Sequence, residues 1–130
     1  MTRRISSGTP WEPIVGYSRA IEAGDYIFVS GCTSIVDGEV VHEGDPYEQA
    51  KQAIKNIEWA LTELRATLAD VARTRIYVTD ITQWAEVGRA HGEAFAGALP
   101  ATSMVQVGAL IDPRMLVEIE AIAHRPGYSG

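Results

Sequence analysis

The chain has 130 residues, 46% of them hydrophobic and 22% charged, proportions that fit one globular domain with its own core and leave no case for disorder or a fibrous repeat. A formal charge of −6, with eleven scattered Lys and Arg residues, would repel a phosphate backbone over most of the surface, so nucleic acid is not an expected partner. The single cysteine excludes an intramolecular disulfide framework. No apolar run reaches the roughly 18 residues of a spanning helix and none follows the basic N-terminal residues, so the expected location is the cytoplasm and a membrane is not an expected partner.

Residues 1–10 carry Ser, Gly, Thr and Pro without periodicity and read as an N-terminal arm over the surface of a domain spanning 11–130. Tyr17 to Glu22 and Tyr26 to Ser30, joined at Ala23-Gly24-Asp25, predict a β-hairpin. Asp37-Gly38 between Ile35-Val36 and Val40-Val41 predicts a short strand pair. A helix is predicted from Pro46 to about Leu64. Asp45 stands at its N-cap and Pro46 at its first position, Glu48 completes a capping box, and Ala50, Ala53, Ile54, Ile57, Leu61 and Leu64 form one apolar stripe.

Val71 to Thr79 alternates as a strand, with Arg73, Arg75 and Tyr77 on one side and Thr74, Ile76 and Val78 on the other. A second helix is expected with Thr82 as its N-cap, an inward face of Trp84, Val87, Gly88, His91, Ala94 and Phe95, and an end at Gly97. Two further strands, Thr102 to Leu110 and Met115 to His124, follow around a turn at Ile111-Asp112-Pro113-Arg114. The expected architecture is α+β, a single domain in which two helices cover one face of the sheet. The strands are apolar on both sides, so a second copy of the chain is expected to cover the other face.

Glu118 and Glu120 are the most informative pair, because residues two apart on a strand share a face and these two lie in an otherwise apolar segment. Either carboxylate could act as a general base or orient a water, or could pair with Arg73 or Arg75 at an edge. Cys32, after Ser30-Gly31 at a strand end, would need a neighbouring base to act as a nucleophile, and an unpaired cysteine is as readily a small buried hydrophobe. His91, on the helix stripe, reads as a satisfied core or interface histidine. No two of the three histidines have metal-ligand spacing, so no metal site is expected.

From Gly16 to Ala123 the chain resembles the RidA (YjgF-like) reactive-intermediate deaminase family. The resemblance is carried by Gly16-Tyr17-Ser18-Arg19-Ala20, by Tyr26 to Gly31, by Val71 to Asp80, and by a two-part signature in Pro100 to Val107 and Val117 to Ala123. It implies a chorismate-mutase-like fold with a mixed sheet, a homotrimer, and a small-molecule cleft between neighbouring subunits. It also implies hydrolysis of reactive imines and enamines without metal or organic cofactor. Carried over, Tyr17 would wall the cleft, Ser30 and Gly31 would line it, and Glu118 would orient the attacking water.

The family's carboxylate-gripping arginine is replaced by Thr102, and a frequent cysteine two places on by Met104. Threonine cannot reproduce a guanidinium's paired charge-assisted hydrogen bonds, so the expected substrate either lacks an α-carboxylate or is held by Arg19, Arg75 or Arg114. A non-catalytic metabolite-binding role in the same cleft is the alternative.

Overall fold

In the computed structural model of the chain, which describes residues 2–126, the elements run in the order β1 (Arg3–Ile5), α1 (Trp11–Val15), β2 (Ala20–Ala23), β3 (Tyr26–Cys32), β4 (Ile35–Val36), β5 (Glu39–Val40), α2 (Pro46–Glu63), β6 (Val71–Val78), α3 (Trp84–Ala94), β7 (Ala101–Gln106) and β8 (Val117–His124). Six strands form one sheet in the order β1-β2-β3-β8-β6-β7. Only β6 and β7 run parallel, with α3 as the crossover that a parallel pair requires, and every other pairing is antiparallel. The sheet is therefore mixed, and α2 and α3 share one of its faces.

α2 begins as the local sequence dictates. The Asp45 carboxylate accepts the Glu48 amide at 3.0 Å, with Pro46 in the first turn, where its missing N–H leaves no donor unsatisfied. The stripe Ala50, Ala53, Ile54, Ile57 and Leu61 is buried against the sheet face made by Ile27, Val29, Val117, Ile119 and Ala121. The β4–β5 pair turns at Asp37 and Gly38, both at positive φ (50° and 82°), the primed geometry that matches strand twist in a two-residue hairpin.

Four expectations are corrected. The N-terminal arm is in part a strand: Arg3, Arg4 and Ile5 pair with Glu22, Ile21 and Ala20 and extend the sheet at its edge. The start of α3 is set by Asp80 rather than Thr82. The Asp80 carboxylate accepts from the Thr82 amide at 3.0 Å and caps a one-turn 3-10 helix at Ile81–Gln83 that runs into Trp84. Trp84 itself is 61% exposed at the first position of α3; the buried side chains in and just after α3 are Val87, Ala90 and Phe95. The last two strands are also shorter than expected, since the turn at Asp112 to Arg114 is flanked by irregular chain.

Strand alternation places Ile21, Tyr26, Phe28, Arg73, Arg75, Tyr77, Glu118, Glu120 and Ile122 on the face opposite the helices. Tyr26 and Phe28 remain 48% and 42% exposed there. No helix among the described residues is long and apolar enough to cross a membrane.

Candidate functional site

The site forms where the β3–β8 ladder breaks. Val29 pairs with Ala121 and Cys32 with Ile119, so three steps on β3 face two on β8 and one extra residue bulges out. The bulge turns Cys32 to the helix side beside Ile119 and brings the backbone of Gly31 against the Glu118 side chain. A β-carbon on residue 31 would lie 2.6 Å from Cδ and 2.9 Å from Cγ of Glu118, closer than any side chain can approach. Glycine here makes room for Glu118 in this position rather than for a special backbone angle, since Gly31 has no positive φ.

Glu118 is partly buried and has no hydrogen-bond or ion-pair partner among the described residues. Burial raises its pKa above the usual carboxylate value, the nearby Arg19 charge works against that rise, and Glu120 adds to it. Glu120, by contrast, is satisfied: it accepts from the Tyr77 hydroxyl at 2.8 Å and from Arg75 at 3.4 Å. The two glutamates share a face, as their spacing requires, but only Glu118 is left without a donor.

Arg19 ties this corner together from within. It is 7% exposed; its Nη1 donates to the Gly31 carbonyl at 2.6 Å and the Ser30 carbonyl at 3.3 Å, and its Nε donates to Ser7 Oγ at 3.1 Å. Its Nη2 lies 4.0 Å from Glu12 Oε2. Glu12, itself buried, accepts from the hydroxyls of Ser6, Ser7 and Thr9. Burial alone would raise the Glu12 pKa, yet these donors together hold it down at about 2. Sequence reasoning missed Glu12 and its hydroxyl cage. The available signal was three hydroxyl residues within six positions of an acidic residue, just outside the predicted hairpin.

Tyr17, Gly31, Cys32 and Glu118, with Arg19, line a cavity of about 790 Å³. Tyr17, Ser30 and Glu120 border a second depression of about 1100 Å³ on the open sheet face, so Tyr17 stands between the two. Thr102 and Met104 border neither within one chain. Both lie on the helix side of the edge strand β7: Thr102 Oγ1 is 2.8 Å from Thr74 Oγ1 and donates to the Pro100 carbonyl at 3.1 Å, and Met104 packs on the core. His91 Nε2 bonds Thr74 Oγ1 at 2.8 Å, which makes it the satisfied histidine expected.

Of the three arginines weighed as replacements at the substrate, Arg19 is engaged with backbone carbonyls beside Glu118. Arg75 pairs with Glu120, and Arg114 sits at the cavity edge in a two-pronged pair with Asp112 (3.0 and 2.9 Å). Cys32 is buried, and burial pushes its thiol up to about 11 despite Arg19 beside it, so it stays protonated at neutral pH. Among the described residues no three His, Cys, Asp or Glu side chains converge to hold a metal ion.

Comparison with known proteins agrees with this fold. The family model described as Endoribonuclease L-PSP matches residues 8–125. An uncharacterized protein of Streptomyces coelicolor is 40% identical over 95% of this chain and 92% of its own length, and a RutC family protein of Pyrococcus abyssi is 39% identical over 88% and 90%. The crystal structure of a Mycobacterium tuberculosis member of the YjgF/YER057c/UK114 family superposes with a TM-score of 0.87 at 49% identity, covering 95% of this chain and 99% of that one. A yeast structure superposes with a TM-score of 0.86 at 31% identity, covering 96% and 99%. The fold therefore sits within a shared scaffold, and this chain belongs to the YjgF/RidA/UK114 family.

Proposed function

We propose that the chain is a cofactor-independent hydrolase of the Rid type, acting on a small imine or enamine at Glu118. The observation that carries this reading is a partly buried carboxylate without a hydrogen-bond or ion-pair partner among the described residues, pressed on a glycine that leaves it room, at the wall of a cavity. A raised pKa brings such a group nearer the working pH, where a general base is most effective.

Chemically, little else is needed. Ionised Glu118 takes a proton from a water as the water oxygen bonds to the imine carbon, and the C=N electron pair moves to nitrogen. The proton then passes from Glu118 to that nitrogen to give a neutral carbinolamine; Glu118 takes the proton of the new hydroxyl and delivers it to the same nitrogen, and as the C=O bond forms and the C–N bond breaks, a carbonyl compound and ammonia or an amine leave with the carboxylate regenerated. Holding the imine and aiming the water supplies most of the rate, because the imine is already electrophilic. With Thr102 in place of the family's arginine, the substrate is not a simple 2-imino acid. The exposed Tyr26 and Phe28 on the open face support a homo-oligomer, a trimer by family likeness, whose neighbouring subunits complete the cleft.

The test is hydrolysis of a panel of neutral and acidic imines by purified protein and by Glu118→Gln. Turnover of a neutral imine that disappears in the variant is expected; activity indifferent to residue 118, or none on any imine, would remove the proposal. A second reading, a binding protein for a small metabolite, is favoured by Thr102 alone. A ligand bound stoichiometrically and recovered unchanged would support it. The ribonuclease named in the family model's description ranks lower, because a formal charge of −6 opposes a polyanion.

A further inference from the structure

Around the mouth of the 790 Å³ cavity, four separate elements bring apolar side chains together: Trp11 from α1, Val36 from β4, Trp59 from α2 and Ile111 from the β7–β8 connection. Trp59 and Ile111 are 44% and 63% exposed. Soluble surfaces rarely gather large apolar groups around an opening unless something apolar rests there. The volume is that of a pocket for a ring-bearing ligand, within the about 300–1,000 Å³ typical of such sites, and far more than a three-carbon imine occupies.

The charges in the same cavity point the same way. Its acids are Asp37, Asp112 and Glu118, and its cations are Arg19 and Arg114. Arg114 is held by both oxygens of Asp112, and Arg19 by the Ser30 and Gly31 carbonyls, by Ser7 and by the nearby Glu12. An incoming carboxylate would meet Glu118 and Asp37, neither in an ion pair among the described residues, and would have to strip an arginine from an existing partner. A protonated nitrogen meets the opposite situation, with a carboxylate ahead of it and indole faces, which attract cations, at the entrance.

We propose that the ligand of this cleft is an uncharged or cationic imine, or its amine counterpart, that carries an apolar ring and no carboxylate. The ring rests among Trp11, Trp59, Val36 and Ile111, and the nitrogen faces Glu118. The inference borrows from the hydrolytic reading only the direction in which the nitrogen points.

Binding of three stable amines separates the two ideas. Phenethylamine supplies ring and cation, propylamine the cation without the ring, and phenylalanine the ring and cation with an added carboxylate. Titration calorimetry on the intact protein is expected to show phenethylamine binding at least tenfold more tightly than either of the others. Trp59→Ala, a substitution at a half-exposed position, is expected to weaken phenethylamine at least tenfold while circular dichroism stays that of the parent. Phenylalanine binding as well as phenethylamine, indifference to Trp59→Ala, or no binding by any of the three would overturn the proposal. Failure to hydrolyse imines would count against the enzymatic reading alone, because none of these probes turns over.

Discussion

Replacing Gly31 with alanine is the most selective perturbation of the site. Its new methyl would lie 2.6 Å from Cδ of Glu118, where two carbons normally rest about 3.5–4.0 Å apart, so about 1 Å of overlap must be relieved. The backbone at residue 31 is not strained by the change, since its φ is not positive, and the atoms in the way belong to the outer part of one side chain. Glu118 therefore moves and the fold stays. Overpacking of this kind typically costs about 1–3 kcal/mol, whereas a reacting group displaced by about 1 Å loses about a hundredfold in rate. The expected result is a folded protein with a slightly lower urea midpoint, about a hundredfold less imine hydrolysis, and a displaced Glu118 in its crystal structure. A folded Gly31→Ala protein with parental turnover, or with Glu118 unmoved, would refute the reasoning.

Further outcomes follow from the same geometry. Because burial raises the folded pKa of Glu118, the native state holds that proton to higher pH than the unfolded chain does; its stabilising contribution is full below the ordinary carboxylate range and is lost as pH rises through the folded value. Glu118→Gln should accordingly raise the urea midpoint at neutral pH, with the gain fading on acidification, while hydrolysis disappears. Glu12 has the opposite sign. Its pKa falls from 4.5 to about 2, so it contributes on the order of 3 kcal/mol at neutral pH that is lost as pH drops through that window, and denaturation curves of Glu12→Gln should lack this acid-dependent loss. Cys32, buried and with its thiol pushed up to about 11, should resist a thiol-reactive disulfide reagent at pH 8 in the folded protein and react at once in denaturant. Rapid labelling of the native state would contradict its placement.

What could be read from the sequence was what short stretches decide for themselves. Asp45-Pro46 and the stripe behind them fix α2 without reference to the rest of the chain, and Asp37-Gly38 fixes a primed turn by backbone chemistry alone. β1 was missed because Arg3-Arg4-Ile5 has no alternation to display; its strand conformation comes from the edge of β2, a partner fifteen or more positions away. Trp84 was misplaced because a stripe tells which side of a helix faces inward but not which positions along it are covered. Glu118 and Gly31 could be named from the resemblance, and their spatial dependence on each other needed the bulge. The Arg19–Glu12 network depends on the arm folding back, which no local pattern encodes.

The arm has a practical consequence for anyone drawing the limits of this domain. Family matching begins at residue 8, yet β1 occupies Arg3–Ile5 and two of the hydroxyls serving Glu12 come from Ser6 and Ser7. A version trimmed to the matched segment would bare the backbone edge of β2, strand an interior carboxylate with most of its donors gone, and loosen the guanidinium that shapes the Gly31 corner. The segment that the family model matches is shorter than the stretch this chain uses to build its cleft.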